Sequence, residues 1–288
     1  MHNLTTQILA SGIALPLASV FETLALSRAT HYRHQTNPTA EDPDMQLRDR
    51  IQLLALEWPQ YGYRRITAEL HRLGVEANHK RVLRLMREDN LLCLRKRRFI
   101  STTDSNHVFS VYPNLVPELT LSSINQLWVA DITYIRLLRE FVYLAVVLDA
   151  YSRRCIGWAL EPYLEAELAV EALRMALATR QVDSGLVHHS DRGVQYASAA
   201  YTDLLKERGL RISMSRRGNP YDNAQAERFM RTLKYEEVYL FEYETLAEAR
   251  ARVSHFLEEV YNQKRLHSAI GYVPPAEYEQ QLCHSTDA

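Results

Sequence analysis

"QLWVADITYIRLLREFVYLAVVLDAYSRRCIGWALE", residues 126–161, holds three runs rich in β-branched and aromatic residues, separated by short polar turns. That texture predicts three strands joined as an antiparallel meander. One residue does not fit an ordinary core strand. Asp131 sits inside the apolar "WVADITYI", where a buried charge is costly unless it is paired or holds a cation. A structural salt bridge and a cation site are both open readings at this point.

Downstream of the meander the pattern alternates. "EAELAVEALRMALATR" (165–180) predicts a helix with Leu168, Ala172 and Met175 among its apolar positions. It is followed by a short strand in "GLVHHS", a helix in "SAAYTDLLKERG", a short strand in "RISMS" and a long helix from about Asn223. Three strands, then helix, strand, helix, strand, helix is a mixed α/β order with five strands.

Two further acids take meaningful positions in this order: Asp191 just after the fourth strand and Glu227 on the long helix. Helical geometry returns positions four and seven along to one face, so Asn223, Glu227, Arg231 and Lys234 form a polar stripe. Ala226, Phe229, Leu233 and Leu240 fall on an apolar side suited to packing on a sheet. The bland reading of the stripe is a set of surface i,i+4 pairs, each worth only ~0.2–0.5 kcal/mol. Carboxylates gathered at one end of a sheet are hard oxygen ligands, suited to Mg²⁺ or Mn²⁺. Two such ions about 3.5–4 Å apart serve phosphodiester chemistry without a covalent nucleophile.

Rival sites are weaker. His188 and His189 are adjacent in a strand, so they point to opposite faces and cannot readily share a zinc ion with Asp191. Ser190 has no nucleophile-elbow context. Asp149 is expected to cap the turn after its strand, and Asp222 to cap the long helix, although either could be a ligand.

The front of the chain is helical in pattern. Residues 1–40 read as two short helices resembling a small helix-turn-helix, and 41–100 as a second helical domain. Within it Ile51, Leu54 and Leu56 mark one helix. Ile66, Leu70 and Leu73 mark a second that ends at Gly74, and Val82, Leu85 and Met86 a third that begins at Asn78. Arg81, Arg84 and Arg87 share the outer side of the third helix. The arrangement fits a major-groove reader and equally a solvated helical hairpin. Residues 101–120 read as a linker, preceded by the basic "LRKRRFIS", and 121–280 as the α/β domain.

The whole chain of 288 residues has a formal net charge of −1, which does not advertise a nucleic-acid partner. The distribution does: Tyr61 to Ile100 carries eleven Lys or Arg, including Arg64 and Arg65, against four acids. The three cysteines, Cys93, Cys155 and Cys283, are scattered, so no disulfide framework or cysteine zinc site is indicated, and a reducing cytoplasmic setting is expected. The apolar "ILASGIALPLASV" is too short to span a bilayer, and no membrane partner is expected.

Five segments, "WVADITYI", "VVLDAYSRRCIGW", "HHSDRGVQYAS", "SRRGNPYDNAQAERFMRTLKYE" and "YNQKRLHSAIGYVPPAEY", together closely resemble the downstream-frame transposases of the insertion sequence 3 family. "YGYRRITAELHRLG" resembles that family's helix-turn-helix region. The resemblance covers about residues 45–280 and maps the family's acidic triad onto Asp131, Asp191 and Glu227, with 35 residues between the last two. It implies a fold similar to RNase H and retroviral integrase, with a five-stranded sheet flanked by helices and preceded by helix-turn-helix domains. It also implies two Mg²⁺ or Mn²⁺ ions, cleavage at element ends by water and strand transfer by the freed 3′ hydroxyl. Lys234 matches the family's basic residue on the catalytic helix and is expected near the scissile phosphate, with Asn223 and Arg231 as further DNA contacts. Arg64, Arg65, Arg81, Arg84 and Arg87 are the DNA-binding candidates of the helical domain.

The implied partners are terminal inverted repeats and target DNA, further copies of the chain on DNA, and the upstream-frame product. The implied location is the bacterial cytoplasm, with the nucleoid when DNA-bound. The zinc-binding His/Cys module at the front of retroviral integrases has no counterpart in this sequence. A non-cleaving regulator or partner subunit, and a non-specific nuclease of the same fold, are the competing readings.

Overall fold

The computed structural model describes residues 43–92, 111–216, 219 and 222–286. The expected helix-turn-helix at 1–40 and the basic run at 94–101 lie outside the described residues.

The meander forms as its sequence demands. Strands β1 (Leu127–Arg136), β2 (Phe141–Asp149) and β3 (Cys155–Glu161) pair antiparallel. Helix α4 (Ala166–Thr179) then crosses over to β4 (Val187–Ser190), which pairs parallel with β1, and β5 (Arg211–Met214) adds in parallel beside β4. The sheet order is β3-β2-β1-β4-β5. β1 is therefore central, with an antiparallel neighbour on one side and a parallel one on the other. Parallel pairs need helical crossovers, which α4 and the pair α5 (Val194–Ala197) and α6 (Ala199–Glu207) provide.

Each face of the sheet has its own core. On one, Trp128, Ala130, Ala145 and Val147 pack with Leu168, Leu173 and Ala176 of α4 and Leu205 of α6. On the other, Val129, Leu144 and Val146 meet Ala226, Phe229 and Leu233 of α7 (Ala224–Leu233), and Val253 of α8 (Leu246–His255). Leu240, expected on the same apolar side, lies beyond the end of α7 and is exposed. The helix runs on as one π-type turn, Lys234–Val238, before the chain leaves the sheet.

The α4 contact on β3 depends on a missing side chain. A Cβ added at Gly157 would stand 2.2 Å from the Ala172 carbonyl oxygen and 2.8 Å from the Ala176 amide nitrogen, both backbone atoms that cannot rotate away. Gly157→Ala is expected to cost about 3 kcal/mol or more by forcing α4 off the sheet. An unchanged midpoint in urea would show that α4 gives way freely.

The helical domain comprises α1 (Met45–Glu57), α2 (Tyr63–Arg72) and α3 (His79–Glu88). Ile51, Leu54, Ile66, Leu70, Val82, Leu85 and Met86 form its core, and the Asn78 side chain caps α3 by accepting from the Lys80 amide. Leu56 and Leu73, expected in the stripes, are instead 76% and 55% exposed, because three short helices enclose only a narrow seam. Gly74 ends α2 with φ +75°. This domain docks on the chain's C-terminal segment. The Tyr61 hydroxyl accepts from the Leu266 amide at 2.8 Å, and Arg72 pairs with Glu277 on α9 (Pro275–Thr286).

The segment from 112 to 121 already belongs to the α/β unit: Leu115, Val116, Leu119 and Leu121 pack on its core. Asp149 caps its turn as expected, accepting from the amides of Tyr151, Ser152 and Asn125. Asp222 does not cap α7. It is held by the Arg216 amide and guanidinium, and Asn223 occupies the cap position without a side-chain cap bond. Among the described residues no helix is long and apolar enough to cross a membrane.

Candidate active site

Strand register brings the first two acids together. β1 and β4 pair in parallel as Leu127 with Val187, Trp128 with His188 and Val129 with His189. Continuing that register by two residues sets Asp191 level with Asp131, and neighbouring strands lie only about 4.8 Å apart. Each carboxylate is oriented locally: Asp131 Oδ1 accepts from the Ile132 amide at 2.9 Å and Asp191 Oδ1 from the Gly193 amide at 2.8 Å. A Cβ at Gly193 would approach Asp191 Oδ1 to 3.0 Å, so glycine gives the carboxylate its room.

Glu227 arrives on the first turn of α7. The helix is pinned beside the site by Asn223, whose side-chain amide donates to the Ala130 carbonyl at 3.0 Å, one residue before Asp131. Asn223 is therefore buried, not part of an exposed stripe. Among the described residues its Oδ1 has no hydrogen-bond partner, and neither has the buried Tyr196 hydroxyl.

The charges respond to one another. Burial, then Asp191, then Glu227 push the Asp131 carboxyl up to about 8, with only the Ile132 amide and Lys234 opposing. Burial also raises Glu227. Lys234 is lowered by burial and partly restored by Asp131, and its Nζ lies 4.7 Å from the centre of the Tyr134 ring. Arg231, one turn earlier, stacks over Tyr235 at 5.7 Å. Besides burial and Tyr201, both Asp131 and Asp191 raise Tyr196, which places its hydroxyl within their field. Tyr134 and Tyr196 do not stand out in the sequence; the only signal is an aromatic five residues after Asp191 in "DRGVQY".

A carboxyl pushed up by burial first and by its acidic neighbours second, as Asp131 is, is suited to a hard cation, which would neutralise the charge it meets. The donors fit: they are all oxygens, and two of the surrounding buried oxygens, on Asn223 and Tyr196, lack partners among the described residues. As the side chains stand, no three His, Cys, Asp or Glu among the described residues form a ready metal cage. The histidines play no part. His188 meets the Tyr201 hydroxyl at 2.9 Å on one face, and His189 meets Ser213 and Ser215 at 2.7 and 3.0 Å on the other. Burial pushes them down to about 3 and about 4, so both are neutral structural residues.

The basic helical candidates divide. Arg81 and Arg84 both pair with Asp44, and Arg84 also reaches Glu88 at 2.9 Å, so much of their charge is spent inside the domain. Arg65 lies over the Tyr61 ring and 3.9 Å from Glu236, facing the core domain. Arg64 stacks on Tyr63 and is exposed, as is Arg87.

Residues 42–99 match the HTH-like domain, and 122–220 and 208–275 match two models of the integrase core domain. The class is thus an RNase H-like integrase core, with its mixed five-stranded sheet, behind a helix-turn-helix-like domain. An insertion element IS600 uncharacterized 31 kDa protein of Shigella sonnei is 39% identical over 222 residues, covering 77% of this chain and 82% of that one. Transposase InsF for insertion sequence IS3A of Escherichia coli (strain K12) is 39% identical over 223 residues, 77% of each chain. Among solved structures, the catalytic core domain of BIV integrase aligns with a TM-score of 0.43 at 22% identity, over 57% of this chain and 99% of that one. With this identity sustained over more than three quarters of its length, the chain belongs to the insertion sequence 3 family of transposases.

Proposed function

We propose that the protein cleaves and joins DNA at the ends of an insertion element, with Asp131, Asp191 and Glu227 as its catalytic and metal-ligating triad. The observation that carries this reading is the convergence of Asp131 and Asp191 by strand register, with Asp131 sensing both other acids. When bound by these carboxylates, Mg²⁺ or Mn²⁺, two ions to the site, supplies positive charge for the attacking and leaving oxygens of a phosphodiester exchange. The chain's own residues do the rest. Asn223 ties the start of α7, the helix that carries Glu227, to β1 one residue before Asp131. Lys234 offers a cation beside Asp131, where a scissile phosphate would lie, and Arg231 extends the positive edge along the helix. Water is the nucleophile in cleavage, and the freed 3′ hydroxyl is the nucleophile in strand transfer.

The helical domain supplies binding to the terminal inverted repeats. Target DNA, further copies of the chain and an upstream-frame product are the remaining partners, in the bacterial cytoplasm and at the nucleoid. The direct test is Mg²⁺-dependent cleavage of duplex carrying element ends, with unrelated duplex and Asp191→Ala as controls. Binding without cleavage under any divalent ion would identify a regulator, and equal cutting of unrelated duplex a non-specific nuclease.

The ion pairs sharpen one expectation. Arg87→Ala should weaken duplex binding and reduce its salt slope by about 1. Arg84→Ala should do less, since Arg84 is already engaged by Asp44 and Glu88. Equal losses in a salt titration of the two variants would mean that DNA displaces Asp44.

A further inference from the structure

A second charged site lies away from the carboxylates, where the helical domain meets the core. A cavity of about 130 Å³ is lined by Arg65 from α2, Arg153 from the turn between β2 and β3, Arg228 from α7, and Arg265, His267 and Ser268 from the C-terminal segment. Four arginines from four separate elements thus line one space. At about 30 Å³ per water, the space is several waters in size.

The acids present do not balance this charge. Glu236 holds Arg265 through two bonds, at 2.6 and 2.7 Å, and reaches Arg65 only at 3.9 Å. Asp149, the acid that lines the cavity, directs its oxygens to three backbone amides. Among the described residues Arg153 and Arg228 form no ion pair, and the buried Nε of Arg153 has no hydrogen-bond partner. Burial first and then Arg228 lower Arg153, with Tyr261 and Asp149 opposing in part, and burial first and then Arg265 lower Arg65, with Glu236 opposing in part. Arg265 lies 3.4 Å from His267, which burial and the surrounding arginines keep neutral. A buried donor left unmade is costly, and so is a cluster of like charges. Both costs vanish if a compact oxyanion fills the cavity. Guanidinium groups that converge from several directions match the several acceptor oxygens of a tetrahedral anion better than the two of a single carboxylate.

We propose that this cavity is a phosphate-class oxyanion site that clamps the helix-turn-helix-like domain to the integrase core. The anion joins Arg65 of the first domain to Arg153, Arg228 and Arg265 of the second. Its source is either a backbone phosphate of bound DNA or free inorganic phosphate; the chemistry of recognition is the same. The site stands whether or not the acidic triad cuts DNA, because its readout is stability.

The test is thermal unfolding of the full chain in inorganic phosphate against sodium chloride at equal ionic strength. Phosphate should raise Tm saturably, by on the order of 5–10 °C once it exceeds its dissociation constant a hundredfold. Arg153→Gln with Arg228→Gln should erase that increment and raise Tm in chloride, because repulsion is relieved. Arg228→Gln alone, at an exposed helix position, carries the same test should the double variant not fold. An equal Tm in the two salts, or an increment that survives in these variants, as general salting-out would give, overturns the proposal. Loss of duplex affinity in phosphate beyond that in matched chloride, absent in Arg228→Gln, assigns the cavity to a DNA phosphate; unaltered duplex affinity alongside the Tm rise assigns it to the free anion.

Discussion

Replacing Glu227 with Gln is expected to lower Mg²⁺-dependent strand cleavage on the order of 10²- to 10³-fold or more, the scale of removing one preorganised electrostatic contributor, while duplex affinity stays within a few-fold. The side chain keeps its shape, and Glu227 is exposed on the first turn of α7, so the fold loses little. A carboxylate at a helix N-terminus is worth about 0.3–1 kcal/mol, which bounds the structural cost. What disappears is one of the three acids whose summed charge would hold the cations. DNA binding should if anything tighten slightly, because an anion facing phosphates has gone. The measurement is a single-turnover cleavage rate beside a dissociation constant for the same end-containing duplex. A parallel loss of rate and affinity would sink the ligand role and recast Glu227 as a residue that organises the DNA interface.

The residues named in that experiment are legible because strand and helix periods are local. The three-strand meander, the misfit of Asp131 in an apolar strand and the recurrence of Glu227, Arg231 and Lys234 on one helical face all follow from spacing alone. The stripe Val82, Leu85 and Met86 and the Asn78 cap are equally readable. What sequence cannot supply is partnership at a distance. Asp44 captures Arg81 and Arg84 from 37 and 40 residues away, Asn223 reaches Ala130 across 93, and Arg216 takes Asp222 before it can cap α7. Leu56 and Leu73 depart from expectation for a different reason: helical period identifies a side of a helix, but the size of the domain decides how much of that side is covered. The arginine cavity is the extreme case, assembled from residues as far apart as Arg65 and Ser268.

Asp131 makes the site's electrostatics measurable without any substrate. In the folded, metal-free protein its carboxyl is pushed up to about 8, against an ordinary value of 3.8. Between those limits the unfolded chain has released the proton and the folded chain still holds it. Stability must therefore fall as pH rises from about 4 to about 8, and the whole penalty is present above 8. A tenfold difference in proton affinity between the two states is worth about 1.36 kcal/mol. The side chain keeps some contact with solvent, which screens its charge and brings the penalty down to on the order of 2 kcal/mol, or about 4–8 °C in Tm for a protein of this size. Asp131→Asn mimics the protonated carboxyl and removes the penalty. The variant should match the parent near pH 4.5 and exceed it by that margin near pH 8.5. Mg²⁺ should raise the Tm of the parent at pH 8.5, since cation binding draws the folded state, and should do far less for the variant. Two profiles that stay superimposed across this range, or a variant less stable at pH 8.5, would show that Asp131 is already neutralised by its surroundings and that the like-charge strain invoked for the cation site is absent.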